Sequence, residues 1–235
     1  MARTEVAVDV GIARHNAGVM NALRGAVLFA LENGESPVVL FGGKKCSGKS
    51  FQALRSLAVA VQEGGYPGVL MNFAGPLKRA YGGGRRQIGY LLRYIAQIAV
   101  AEGCPLTGVS TSEIDRIADE IASMPKRRAL QRLGTDYGRA CNPSVWVDMA
   151  ASHIENVIIG AKGAPMLITI DDWRFPDELT GLQARGIRPI YAVAIEADER
   201  LQVARGCKAG DTHESEQHLA DLVDAAGYVL KRGGI

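Results

Sequence analysis

Residues 43 to 50 read Gly-Lys-Lys-Cys-Ser-Gly-Lys-Ser, a glycine, four intervening residues, then Gly-Lys-Ser. Glycines let a backbone wrap tightly enough for successive N–H groups to converge on an anion. A helix expected from about Ser50 adds the positive end of its dipole. Lys49 is placed to reach the β- and γ-phosphates of a nucleoside triphosphate, and Ser50 offers a hydroxyl to Mg²⁺. Gly43, Lys44, Lys45, Cys46, Ser47, Gly48, Lys49 and Ser50 are therefore the expected ATP-binding residues. The apolar run before them and the helical pattern after them supply the strand–helix frame that this loop requires. The Asn-Lys-x-Asp signature that selects guanine is absent from the sequence.

Four other stretches carry chemistry. Asp171 and Asp172 follow "MLITI", at the C-terminal edge where open α/β sheets bind ligands. A carboxylate there can hold Mg²⁺, and Arg174 two residues on can grip a phosphate with its planar fork. Lys78, Arg79, Arg85 and Arg86 crowd a glycine-rich stretch over 73–86, read as a loop that either binds a phosphate or is solvated. Gln131, Asp136, Tyr137, Arg139, Asn142 and Trp146 gather within 130–147, a mixture suited to a base and a phosphate. Read alone, Trp146 fits the core slightly better than a binding surface, as does Leu133. Arg200, Arg205 and Lys208 precede "HESE", and basic side chains there can close over a triphosphate as a lid. His213 is given no role.

The elements that must position these residues alternate between β and α. Strands are expected over 37–41, 68–73, 165–170 and 189–195, with another near "GYVLKRGG". Helices are expected over 50–63, from about Gln87, from Ser110 (three residues before Glu113, a capping-box spacing), over 126–134 and over 143–160. That order implies a parallel sheet with helices on both faces. Residues 17–32 place Val19, Leu23, Val27 and Leu31 on one helical face, for packing against the main domain.

The 235 residues suffice for one α/β domain with an inserted lid, and a hydrophobic content of 47 % is that of a globular chain. A net charge of +2 gives no footing for a nucleic-acid or membrane partner, and no apolar run reaches membrane-spanning length. The N-terminal stretch is interrupted by Asp9, Arg14, His15 and Arg24, so it is not expected to act as a signal peptide. Cys46, Cys104, Cys141 and Cys207 show no CxxC or Cys/His spacing; no zinc site and no disulfide framework are expected, and a reducing cytoplasm fits.

Taken in order, "GKKCSGKS", "FAGPLK", "LQRLGTDYGR" with "WV" after it, "DDWRFPDE" and "HESE" resemble the deoxynucleoside monophosphate kinases of bacteriophages. The resemblance spans about residues 37 to 235 and leaves 1–36 outside as an N-terminal helical extension. It implies a P-loop NTPase fold of the nucleoside monophosphate kinase kind, with a helical nucleotide-binding arm over about 85–160 and a lid over about 197–217. It implies transfer of the γ-phosphoryl of ATP, with Mg²⁺, to a deoxynucleoside 5′-monophosphate in a bacterial host cytoplasm. By the same resemblance Lys49, Asp172, Arg174 and Arg205 are catalytic, and Arg200 binds ATP. Lys78, Gln131, Asp136, Arg139, Trp146 and Arg174 bind the acceptor. Ser50, Asp171 and Asp172 are the metal candidates, and family members are often dimers. The chain departs from the family at Gly75, often Asp, and at Asp136, often Glu. The competing readings are a kinase for a modified base in DNA or an unusual nucleotide, which would use a basic patch of Arg79, Arg85, Arg86, Lys126, Arg127 and Arg128, and a non-kinase P-loop ATPase.

Overall fold

The computed structural model describes residues 2–206 and 217–232. Five strands form one parallel sheet: β1 (Val38–Gly43), β2 (Gly68–Met71), β3 (Leu167–Trp173), β4 (Ile190–Ala197) and β5 (Tyr228–Arg232), in the order β2-β3-β1-β4-β5. All six residues of β1 are buried, as a central strand covered on both faces requires. The chain divides into two compact units, residues 1–72 with 153–235, and residues 73–152.

The first unit holds the sheet. On one face Val39, Phe41, Leu167, Val193 and Ile195 share a core with Leu23, Val27 and Leu31 of α1 (Ala2–Glu32) and with Ala53 and Ala60 of α2 (Lys49–Gly64). The alternate residues Val38, Leu40, Ile168 and Ile170 are buried too, and α10 (Leu219–Ala225) packs on β1 and β4. α8 (Pro176–Ala184) and α9 (Glu199–Ala204) complete this unit. The N-terminal segment is thus part of the sheet unit's core rather than an appendage. It also covers an exposed edge: the Asn16 amide donates to Lys231 O at 2.5 Å and its carbonyl accepts from Lys231 N–H at 2.8 Å. His15 Nε2 donates to Val229 O at 3.0 Å. Alternate backbone groups of β5, which would otherwise template another strand, are occupied.

The second unit is helical: α3 (Gly75–Gly82), α4 (Gly84–Gln97), α5 (Thr111–Ser123), α6 (Lys126–Gln131), a π-helical turn (Arg132–Arg139) and the first half of α7 (Val145–Gly160). Its core joins Leu77, Ile88, Leu92, Ile95, Ile117, Ile121, Leu133 and Trp146. It begins earlier than the sequence pattern suggested. The stretch 73–86 is not a loop, since Pro76 in the first turn and buried Leu77 and Ala80 make α3. Ser110 Oγ accepts the Glu113 N–H at 3.2 Å as an N-cap, while the Glu113 carboxylate turns to Arg116, whose guanidinium holds its pKa below the usual carboxylate value.

The cysteine expectation needs correction. Cys104 and Cys141, 37 residues apart, are joined by a disulfide. The N–H groups of Val100 and Ala101 both donate to Cys141 O, drawing the two segments together where no local spacing could signal it. Replacing both cysteines by serine is expected to lower stability by about 4 kcal/mol from the entropy of a loop this long, read as a shift in the urea midpoint. Leu23→Ala, at a position 2 % exposed, is expected to cost about 2–5 kcal/mol. Phe29→Ala on the same helix, 68 % exposed, should change the midpoint little if α1 packs through the face described.

Candidate phosphate site and nucleotide-recognition motif

The loop of residues 43–50 leaves β1 and enters α2 at Lys49. Gly43 has φ 135° and Cys46 φ 60°. Gly48 has φ 98°, in a region that suits glycine, and a Cβ there would lie 2.9 Å from Arg232 Nη1. Lys49 is 8 % exposed, and its ammonium donates to Gly43 O and Lys44 O, each at 2.6 Å. Ser47 is fully buried, and its hydroxyl lacks a hydrogen-bond partner among the described residues.

Ser50 Oγ donates to Asp171 Oδ2 at 2.6 Å. Asp171 is thereby brought to the loop. Beside it is a register shift: Leu40 pairs with Ile170 and Gly42 with Trp173, so β3 holds an extra residue over Asp171–Asp172. Such an irregularity re-aims side chains next to a site. Trp173 fixes the position. Its indole packs so closely on Gly42 that a Cβ there would lie 2.6 Å from the ring, and Nε1 donates to Phe175 O at 2.9 Å. The sequence reading gave no role to Gly42 or Trp173; a glycine beside a strand-end tryptophan was the available signal. Asp172 and Arg174 are half-buried, and buried Glu178 accepts the backbone N–H groups of Arg174 and Phe175 at 2.9 and 3.2 Å.

Ser50 and Asp171 offer hard oxygen donors side by side, which suits Mg²⁺ held jointly with phosphate oxygens and water. Among the described residues no group of three or more His, Cys, Asp or Glu gathers. Of the arginines expected in a lid, Arg205 reaches the loop, donating from Nη1 to Cys46 O at 3.0 Å; Arg200 is exposed in the first turn of α9. Lys208 and His213 lie outside the described residues.

The acceptor candidates lie in the second unit. "RLGTDYGR" forms the π-helical turn, a rare geometry that concentrates at functional sites. Asp136 is exposed, while Gln131 and Arg139 are half-buried. Lys78 is exposed on α3. Trp146 matches its reading as core and departs from the acceptor contact that the resemblance implied. It is 4 % exposed, and Nε1 donates to Gly134 O at 2.9 Å, so it holds the turn from within the core. Arg132 stacks over Tyr137 at 5.8 Å and pairs with Glu120 at 3.0 Å; its hydrogen bond to the Tyr137 hydroxyl chiefly raises its pKa. Part of the basic patch is engaged locally: Arg85 pairs with Asp119 at 3.0 Å, and Arg86 donates to the Tyr90 hydroxyl at 3.0 Å.

No family model matches the chain, and no curated protein matches it. Among the described residues no helix is long and apolar enough to cross a membrane.

Gly138 tests how the turn is held. A Cβ there would lie 2.2 Å from the Trp146 ring. Gly138→Ala is expected to destabilise the protein by about 1–3 kcal/mol through overpacking, and Trp146 fluorescence should shift. An unchanged spectrum and denaturation midpoint would mean that the indole does not support the turn.

Proposed function

We propose that this chain transfers the γ-phosphoryl group of ATP to a deoxynucleoside 5′-monophosphate, giving the diphosphate and ADP, on a P-loop fold of the nucleoside monophosphate kinase kind. The observation that carries the reading is the Ser50–Asp171 hydrogen bond of 2.6 Å at the foot of a glycine loop whose lysine is buried. The all-parallel sheet, with β1 between β3 and β4, supports the same reading by putting that loop at a ligand-binding strand edge. The π-helical "RLGTDYGR" supports the acceptor assignment.

In this reading the loop N–H groups and Lys49 receive the β- and γ-phosphates. Ser50 and Asp171 hold Mg²⁺, with Asp172 close by in sequence. When bound, the cation offsets charge on the phosphate oxygens. An oxygen of the acceptor phosphate forms the new bond to the γ-phosphorus as the bond to the β-bridging oxygen breaks and ADP leaves. The acceptor is already an anion, so no strong base is required, and none of the histidines is assigned one. Charge that spreads over the transferring group is met by Lys49, Arg174 and Arg205. Gln131, Asp136 and Arg139 orient the acceptor, with Lys78 on its phosphate, and Trp146 acts on them as a positioning residue.

A cytoplasmic site of action follows from the need for ATP. The Cys104–Cys141 disulfide is the observation that weighs on the other side, since disulfides are rare in reducing compartments.

The test is a chromatographic assay with ATP and Mg²⁺ against the four common deoxynucleoside monophosphates, dUMP, 5-substituted pyrimidine monophosphates, the matching ribonucleotides and duplex DNA. Diphosphate from a deoxynucleotide is the expected product. Lys49→Ala should lower turnover by about a hundredfold or more with an unchanged circular dichroism spectrum, and Asp171→Asn should cost more than Asp172→Asn. ATP hydrolysis without a phosphorylated acceptor would sink the kinase reading.

A further inference from the structure

A cavity of about 670 Å³ lies between α1, α2 and the end of β5. That volume falls within the roughly 300–1,000 Å³ of small-molecule sites. Its apolar wall includes Met20 and Val27 of α1 and Val59 and Ala60 of α2. Its charged lining is basic: Arg55, Arg205, Lys231 and Arg232 stand against one acid, Glu63, which Arg24 already pairs. Burial, then repulsion from Arg205 and Arg55, pushes Arg232 below the ordinary arginine value. Three guanidiniums therefore lie close enough to repel, with no carboxylate in the described lining left to separate them. Gln52 and Ser56 also line the cavity, and Gln52 Oε1 and Ser56 Oγ have no hydrogen-bond partner among the described residues. Crowded like charges and unpartnered oxygens both cost stability, and a ligand bringing an anion and donors removes both costs.

We infer that this cavity is a second ligand site, built by the N-terminal helix, for a molecule with a phosphate head against Arg55 and Arg232 and a flat, largely apolar body between α1 and α2. A nucleoside monophosphate and an aryl phosphate share that chemistry. The site adjoins the anion nest of residues 43–50, since a Cβ at Gly48 would lie 2.9 Å from Arg232 Nη1, but its apolar wall is built by α1 and α2 outside that loop, and it does not depend on the kinase reading. Its rim meets the loop through Arg232, which lies against Gly48, and through Arg205, whose Nη1 donates to Cys46 O at 3.0 Å. An anion that draws Arg205 toward the cavity changes a contact of the phosphate loop, so occupancy of one site is communicated to the other.

The test is calorimetric titration of the full chain with 1-naphthyl phosphate, decyl phosphate and dAMP. Four proteins are compared: wild type, Lys49→Ala, Arg55→Ala and Ala17→Trp, the last placing a large ring at an exposed position on the cavity lining. The expected result is binding of 1-naphthyl phosphate or dAMP to wild type and Lys49→Ala alike. Arg55→Ala and Ala17→Trp should each weaken it by about tenfold or more. Both variants are checked by circular dichroism; if Ala17→Trp does not fold, exposed Arg55 decides alone. No binding by any probe would overturn the site, as would binding lost in Lys49→Ala and kept in Arg55→Ala. Preference for decyl phosphate would overturn the flat body. Failure of ATP turnover bears on the loop's proposed role and leaves this outcome untouched.

Discussion

A lysine ammonium buried beneath a loop needs oxygen atoms around it, because an unpartnered charge out of water is too costly to persist. Lys49 meets that need with the carbonyls of Gly43 and Lys44, each at 2.6 Å. Folding the loop over its own lysine forces the backbone through positive φ at Gly43, Cys46 and Gly48. It also fixes where α2 begins, and therefore where Ser50 stands. The sheet then has to deliver a carboxylate to that hydroxyl. β3 does so by carrying one residue more than β1 between its last two pairings, with Trp173 packed on Gly42 to hold the irregularity.

The second unit solves a different problem by a related device. A π-helical turn wastes hydrogen-bond geometry relative to an α-helix and persists only where its surroundings hold it. Here the holding group is an indole, buried against Gly138 and bonded to Gly134 O. The exposed Asp136 and half-buried Arg139 are carried on a turn whose shape is set from inside. That arrangement keeps the aromatic ring out of solvent while the polar Asp136 and Arg139 lie toward the turn's surface.

Much of this was legible in the sequence because β/α alternation and the glycine loop are local patterns. The five strands lie within a few residues of their apolar runs, and Leu23, Val27 and Leu31 are buried as their spacing implies. What escaped depends on pairing or close approach. α3 was hidden by glycines that read as loop. The Ser50–Asp171 contact sits beside a register shift that no single strand's sequence contains. The π-turn has no hydrophobic period of its own, Trp146 could be placed only once its partner carbonyl was known, and the Cys104–Cys141 bond joins segments 37 residues apart.

The N-terminal helix shows why an α/β sheet gains from an added element. β5 is an edge strand, and an uncovered edge invites pairing with another chain. An ordinary amphipathic helix would cover the sheet face and leave the edge groups of β5 bare. This helix reaches the edge with Asn16, one amide serving as both donor and acceptor to Lys231, and with His15 on Val229 O. Those polar contacts pin α1 at β5, while Leu23, Val27 and Leu31 pin its later turns on the sheet core. A helix anchored at two places on different surfaces need not pack tightly between them. Met20, Val59 and, at the end of β5, Lys231 and Arg232 border the space that remains. The same geometry that protects the edge therefore creates the cavity beside the loop of residues 43–50.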